Sequence, residues 1–452
     1  MNADTIGDGL TIVALSTPLD RSALAIVRLS GSAVSAIAAQ ILVPVPTVVR
    51  HATHCHVRRR DGETIDEAIA ILFRAPHSFT GEDTLEITTH GGMIGPTAVV
   101  AAAIAAGARL ADPGEFSRRA VLNGKLDLLQ AEAIGDLIDA RSSAAHQLAL
   151  RQLDGGLSRR IGFLRAKLVL LEAQLAYDLD FPEEDDGPLA RDRIASSAES
   201  VIAMLNALLV SGRQGSLVHG GALVVLAGAP NVGKSSLFNA LLGEARAIVT
   251  EIPGTTRDAI EALLDMPQWP LRLVDTAGLR ESADLLELLG IEVSSRYLRR
   301  ADIVLACAET REGLQQLGQL LESHTEALLV AVRTKADLAS DDTDIGGDVS
   351  VSAATGAGIQ QLLRTIEDRL KARHGSLSAD APLLTSARHE VAVRAAMTEM
   401  QAFLTAWNDA VLPASVIATH IHEAAAALSS LIGTVKTDDI LDVVFRNFCV
   451  GK

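Results

Sequence analysis

Cysteine is scarce: Cys55, Cys307 and Cys449 are the only three, far apart and without a C-x-x-C spacing. Neither a disulfide framework nor a thiolate zinc site is on offer, and a reducing compartment fits. Aromatic residues make up 3% of a chain that is 48% apolar. Leu, Ile, Val and Ala must therefore fill the core, which favours helices and parallel strands over an aromatic-rich sandwich. No uncharged apolar run approaches the roughly 18 to 20 residues that span a bilayer. The opening MNADTIGDGLTIV is acidic rather than an Arg-rich leader, so the chain reads as cytoplasmic with no membrane partner. Positive charge is also in deficit, with a formal net charge of −16. That excludes a protein whose whole surface grips nucleic acid. Two basic runs, VRRR at Val57–Arg60 and RYLRR at Arg296–Arg300, are explained at least as well by a solvated turn and a helix face. Any RNA role needs help from a partner.

The 452 residues leave room for about three domains. Residues 1–117 alternate short β-type runs with turn signals, among them LAIVRLSG and DTLEITTHGG, with a hairpin turn at Arg60–Glu63. That pattern predicts an α+β domain. Residues 118–215 carry long Ala- and Leu-rich stretches with apolar residues at helical spacing, broken by the acidic DFPEEDDGP. In residues 216–375 strands and helices alternate, as in a parallel sheet covered by crossover helices. Helices return over 376–452. An α/β domain inserted into one helical domain is the simplest reading, and the helices that flank it should pack together.

GAPNVGKS, Gly228–Ser235, is a complete G-x-x-x-x-G-K-[ST] loop between a strand-like and a helix-like run. In that setting backbone N–H groups cradle phosphates. Lys234 would neutralise β/γ charge and the Ser235 hydroxyl would ligate Mg2+, with Asn231, Val232, Gly233 and Ser236 completing the phosphate-facing set. Alone, the loop would mark any P-loop NTPase. TKAD, Thr334 to Asp337 with Lys335, narrows the base. The Asp337 carboxylate can accept from guanine N1 and N2, a donor pair adenine lacks. Thr334 stands where Asn is commoner. SAATGAG, beginning Ser352–Ala353, resembles the guanine loop downstream. In DTAGLRE, Asp275 would reach Mg2+ through water, and Thr276, Ala277 and Gly278 would meet the γ-phosphate. Leu279 follows that glycine where a Ras-like GTPase carries a water-orienting glutamine, so another charge stabiliser is required. Asn231 has a carbonyl able to ligate a monovalent cation, and VTEIPGTTRD, Val249–Asp258, resembles the switch I of potassium-dependent GTPases. K+ there would put positive charge where an arginine finger otherwise reaches. Taken by itself, Asn231 also reads as a filler position.

PHSFTGEDTLEITTHGG, DPGEFSRRAVLNGKLDLLQAEAIGDLIDA, the P-loop through PGTTRD, DTAGLRE and the terminal FCVGK together resemble the bacterial and organellar tRNA modification GTPases of the MnmE (TrmE) family, nearly end to end. The resemblance implies a multidomain α+β and α/β fold. Its parts are an N-terminal domain that binds tetrahydrofolate and dimerises, an all-α helical domain, and an inserted Ras-like P-loop G domain. It implies a homodimer that works with the FAD-dependent partner MnmG (GidA), as a heterotetramer, on the wobble uridine of tRNA. The one-carbon donor would be 5-formyl- or 5,10-methylene-tetrahydrofolate. By the same resemblance Thr250, Ile252 and Thr255 surround K+, with Glu251, Pro253 and Gly254 lining the nucleotide. Thr256 joins Ser235 on Mg2+, and Glu287 orients water after two G domains meet. Arg28, Glu86, Lys125 and Lys452 contact the folate. Because a chain end is normally frayed, a final turn with a thiol and a cation beside an apolar anchor is expected to be delivered to the folate pocket, with Cys449 beside the transferred carbon or helping to shape its pocket. Read without the family, each of these would be an ordinary surface charge or a buried thiol. TPLDRSALAIVR departs from the family's glycine-rich turn, so Leu19–Ala23 should close that loop differently. A regulatory GTP switch for ribosome or RNA assembly is the alternative, but such a switch has no use for the SFTGED and FCVGK segments.

Overall fold

The computed structural model describes residues 9–180, 191–244, 247–249, 260–275, 295–338, 347–376, 383–409 and 412–433, with 444, 445, 448 and 451. By contacts the chain forms two units, Met1–Gly135 with Ser429–Lys452, and Asp136–Leu428.

In the first unit β1 (Ile12–Leu15), β2 (Leu24–Ser30), β3 (Leu42–Val43), β4 (Thr53–Arg58), β5 (Thr64–Phe73), β6 (Thr84–His90) and β7 (Arg109–Leu110) form a seven-stranded sheet. Its order is β3-β4-β5-β6-β2-β1-β7, antiparallel except where β7 runs parallel to β1. Side chains alternate across a strand. Ala25, Val27 and Leu29 of β2 are buried, the last two in a core shared with Val34 and Ile37 of the helix Val34–Ile41 and Val99 and Ala103 of the helix Gly95–Ala105. Arg28 falls on the opposite face, where Phe116 packs with Ile12 and Ala14. The expected turn at Arg60–Glu63 closes the β4–β5 hairpin, with the Arg59 N–H donating to the Glu63 carbonyl (2.8 Å).

The chain end belongs to this unit. Phe445 is buried with Leu128 and Ala131, and its ring meets that of Phe448 edge-on at 5.2 Å. Gly114, at φ +68°, admits both: a Cβ there would lie 2.9 Å from the Phe445 carbonyl oxygen and 3.0 Å from Phe448 Cβ. Residues 434–443, part of the stretch 376–452 expected to be helical, lie outside the described residues.

The second sheet takes β8 (Ala222–Ala227), β9 (Ala247–Val249), β10 (Ile260–Leu264), β11 (Leu271–Asp275), β12 (Ile303–Ala308), β13 (Leu328–Arg333) and β14 (Val349–Ser350) in the order β14-β13-β12-β8-β11-β10-β9. From β14 to β11 neighbours are parallel; β10 and β9 add antiparallel. Every residue of β8 and β12 is buried, as expected of central strands covered on both faces.

Two long helices, Gly156–Asp180 and Arg191–Gly220, precede β8, and Ala387–Asp409 and Ala414–Ile432 follow the sheet. Gly212 and Gly215 let the returning chain close on the second of these. A Cβ on Gly215 would stand 1.9 Å from the Leu384 carbonyl oxygen, and one on Gly212 2.6 Å from Glu390 Oε1. Arg191–Gly220 is long and apolar enough to cross a membrane, with a mean hydropathy of 1.5 over its best window. Counting uncharged runs misses this, because Glu199 and Arg213 interrupt the run without making the helix hydrophilic. Ile194, Ala198, Val201, Leu205 and Leu208 of that helix are buried in the protein.

Candidate functional site

The nucleotide motifs meet at the C-terminal ends of the parallel strands, where open α/β sheets bind ligands. β8 leads into the loop 228–233 and the helix Lys234–Glu244. A Cβ on Gly228 would lie 2.3 Å from the Cys307 carbonyl oxygen, so only glycine fits against β12. Gly233 takes φ +94° and Asn231 φ +64°. Asparagine tolerates this left-handed conformation better than most residues. Asn231, Ser235 and Ser236 are exposed and Val232 is buried. The buried Lys234 ammonium donates to the Gly228 (3.0 Å) and Ala229 (2.9 Å) carbonyls, which holds it against the loop that would carry phosphate.

Beside this loop a cavity of about 280 Å3 is lined by Gly233, Ser236, Thr334, Lys335, Asp337 and Ala353, among others. Three separate motifs thus share one wall. Asp337 Oδ1 accepts from the Ser352 hydroxyl (2.6 Å), which in turn accepts from the Thr355 N–H (3.2 Å). The carboxylate is thereby aimed by the second motif, a role for Ser352 that the pattern did not reveal. Thr334 is buried, and its hydroxyl and N–H both donate to the Ala308 carbonyl (3.3 and 2.9 Å). The shorter side chain ties this segment to the end of β12. Lys335, at φ +54°, pairs with Glu309 at 2.6 Å. Sequence reasoning missed Glu309; its signal was an acid one residue beyond a buried strand. The aimed carboxylate and the glycine-lined loop beside the cavity fit a guanine nucleotide.

Asp275 ends β11, beside the P-loop strand, with Val274 opposite Val225. Thr250, Glu251, Ile252, Pro253, Gly254, Thr255, Thr256, Thr276, Ala277, Gly278 and Glu287 lie outside the described residues, as do Cys449 and Lys452.

In the N-terminal unit the sheet face away from the helices brings Arg28 and Glu86 together. They are register partners on β2 and β6, and Arg28 Nε and a terminal nitrogen donate to Glu86 Oε1 at 3.0 and 2.7 Å. The guanidinium lies 5.5 Å from the centre of the Phe79 ring and 5.8 Å from that of Phe116. Lys125 Nζ donates to the Pro76 carbonyl (3.0 Å). A Cβ on Gly81 would come within 3.2 Å of Lys125 Cγ, so the SFTGED and NGKLD segments abut. Gly451, buried at φ +96°, accepts from the Ser16 hydroxyl (3.1 Å) beside Leu15, the neighbour of the Ala14 that pairs with Arg28. Arg28 therefore spends two donors on Glu86, and a ligand would have to share both groups.

Beneath this face Glu115, 1% exposed, accepts from Arg109 (2.7 Å) and Arg119 (2.9 Å), and Arg119 also donates to Glu82 (3.0 Å). Burial pushes the Glu115 carboxyl up, but hydrogen bonds from Arg109, the Asp112 N–H and Arg119 outweigh it and hold the group below its ordinary value. This network and the two phenylalanines escaped the sequence reading, although all but Arg109 lie in the quoted segments.

Two family models match the chain: "GTP-binding protein TrmE N-terminus" over residues 11–125 and "MnmE helical domain" over 128–449. Curated relatives called tRNA modification GTPase MnmE align over 98% of this chain. Those of Moorella thermoacetica and Aquifex aeolicus are 40% and 38% identical, each aligned over 99% of its own length. That of Azoarcus sp. is 40% identical over 98% of its own. With a family model covering most of its length and relatives matched end to end, the chain belongs to the tRNA modification GTPase MnmE family.

Proposed function

We propose that the chain is a potassium-dependent GTPase that acts in tRNA modification. With the flavoprotein partner MnmG it would install a carboxymethylaminomethyl or aminomethyl group at C5 of the wobble uridine, drawing one carbon from a tetrahydrofolate derivative. Membership of the family supports a GTP hydrolase acting in tRNA modification. The observation that carries the nucleotide choice is Asp337, its carboxylate aimed by Ser352 into the cavity beside the P-loop.

In this reading Asp337 accepts from guanine N1 and N2, and the glycine-lined loop brings backbone N–H groups to the phosphates. Lys234 moves its ammonium from the Gly228 and Ala229 carbonyls to the β/γ oxygens. Mg2+, held by Ser235 and Thr256, and K+, held by Asn231, Thr250, Ile252 and Thr255, would supply positive charge as the γ-phosphoryl departs. Thr276, Ala277 and Gly278 follow Asp275 against the γ-phosphate, and Glu287 orients water in place of the glutamine that Leu279 replaces. In the N-terminal unit Glu86 faces the pterin amino edge, and Arg28, Lys125 and Lys452 face the carboxylates, with Cys449 beside the one-carbon unit. Phe79 and Phe116 keep water from the Arg28 guanidinium.

The four-part division stays with this reading: 1–117 for folate and dimerisation, 118–215 and 376–452 helical, 216–375 the inserted G domain. The close approach of Leu384 to Gly215 supports the insertion, because it joins the chain before that domain to the chain after it. Mass analysis of wobble nucleosides from a strain lacking the gene, with and without a plasmid copy, tests the whole. Loss and restoration of the modified uridine are expected; unchanged nucleosides would remove the reading in favour of a regulatory switch.

A further inference from the structure

At the other end of the parallel sheet from the P-loop, the strand N-termini border a cavity of about 380 Å3. Four guanidiniums line it: Arg213 from the helix Arg191–Gly220, Arg299 and Arg300 from the turn after Ser295–Leu298, and Arg373 near the end of Ile359–His374. Among the described residues only two carboxylates, Asp302 and Glu326, share the wall. Asp302 is already engaged, by Arg213 and by the Leu223 N–H (2.8 Å). Arg373 donates to the Glu326 backbone carbonyl (3.0 Å).

Bland causes cover half of this set. Pairing with Asp302 accounts for Arg213, and complementing a helix C-terminus accounts for Arg373. Neither accounts for Arg299 and Arg300, which are exposed in a turn rather than on a helix face and make no ion pair among the described residues. His374 completes the wall. Burial first, then the positive charge of Arg213 and Arg373 against the opposing pull of Asp302, holds its imidazole below the ordinary value. The ring lies 6.2 Å from that of the buried Trp269. Guanidiniums arriving from three elements offer forked donors to a tetrahedral oxyanion, the geometry for which Arg is preferred over Lys. Concentrating them here in a chain of net charge −16 runs against the overall charge balance.

We propose that this cavity is a phosphate-binding site, engaged by backbone phosphates of RNA. The phosphate chemistry stands without the nucleotide site; the RNA source rests on the tRNA-modification reading. The test uses the full chain and the double variant Arg299→Gln/Arg300→Gln, with GTP hydrolysis as the folding control. A fluorescein-labelled tRNA transcript is titrated by anisotropy across a salt series. Inorganic phosphate is titrated by Trp269 fluorescence in a Trp407→Phe background. The double variant should bind the transcript on the order of tenfold more weakly, with a log–log salt slope shallower by about 1.4 to 1.8, two contacts at about 0.7 to 0.9 each. Unchanged transcript binding with a phosphate response that the double variant loses would keep the site and assign it to a free phosphate ligand. Unchanged transcript affinity and slope with no phosphate response would overturn it. Should the Gln pair lose hydrolysis as well, the single variants Arg299→Gln and Arg300→Gln decide: each should make the salt slope shallower by about 0.7 to 0.9 with hydrolysis intact, and an unchanged slope in both would overturn the site. Failure of the GTPase reading would appear separately, as no hydrolysis by the unaltered chain.

Discussion

The two seven-stranded sheets build their sites in opposite ways. In the parallel sheet the site sits at strand ends, and each loop delivers a contiguous motif: 228–235 after β8, Glu309 after β12, Thr334–Asp337 after β13. In the antiparallel sheet the candidate site is a strand face, where Ala14, Arg28 and Glu86 become neighbours only by register. Backbone conformation dictates the first, so its residues come as words. Cross-strand pairing dictates the second, so its residues come as scattered letters. The first can be cut by changing one side chain that reads the base; the second should be sensitive to anything that shifts a register or dislodges the tail.

The largest separation of the two should come from Gly451→Ala. A Cβ there would meet the Leu15 carbonyl oxygen at 2.6 Å at a φ that side chains avoid. Wobble modification in cells should fall below a tenth of normal while purified protein still hydrolyses GTP; loss of both would make the tail a general structural prop. Next, Asp337→Asn should weaken GTP on the order of a hundredfold and favour xanthosine triphosphate, whose C2 oxygen accepts from the new amide. Equal GTP affinity in a competition assay would break the assignment of the base site, and folate binding should not change. The potassium arm is smaller. Turnover in KCl should exceed that in NaCl by about tenfold, and Asn231→Ala should erase the difference; equal rates in both salts would exclude the monovalent site.

Last is the pH dependence of the N-terminal unit. Because the Glu115 carboxyl is held below its ordinary value, its contribution is complete above the usual carboxylate range and disappears as pH falls through the lowered value. Glu115→Gln should cost about 1.5 to 3 kcal/mol at neutral pH and flatten the acid limb of stability, read by thermal melts between pH 3 and about 7. Parallel acid limbs in the two proteins would show that the network adds nothing of its own.

What the sequence alone makes legible follows the same division. Gly228, Asn231, Lys234 and Asp337 were legible because the loop needs glycine at close approaches and the base needs a carboxylate at fixed spacing. The partnership of Ser352 with Asp337 was not, since it joins two loops through a hydroxyl that reads as a loop filler. Arg28 and Glu86 were legible only through family likeness, because an alternating strand leaves any charged residue a plausible solvent position. Nothing local says that Glu115 is buried under two arginines. Its helix begins like many others, with an acid in the first turn. The RYLRR run, read as a helix face, places Arg299 and Arg300 in a turn because the helix stops at Leu298.

The helix Arg191–Gly220, closed upon at Gly212 and Gly215, has mechanical weight. It runs into β8 with only Gly221 between them, and that glycine sits against Leu263 and Pro270, a Cβ there meeting Leu263 Cδ1 at 2.9 Å. Its 30 residues make a rod of roughly 45 Å. It is gripped at Gly212 and Gly215 and rooted in the strand that carries the phosphate loop. Such a rod is a lever with its fulcrum near the grip: a tilt of about 10° there would carry its Arg191 end, roughly 33 Å away, through about 6 Å, and with it Trp407, to which Arg191 is bonded. Stiffness here converts a small local rearrangement into a stroke, and lengthening Gly221 to a run of glycines would turn the lever into a tether.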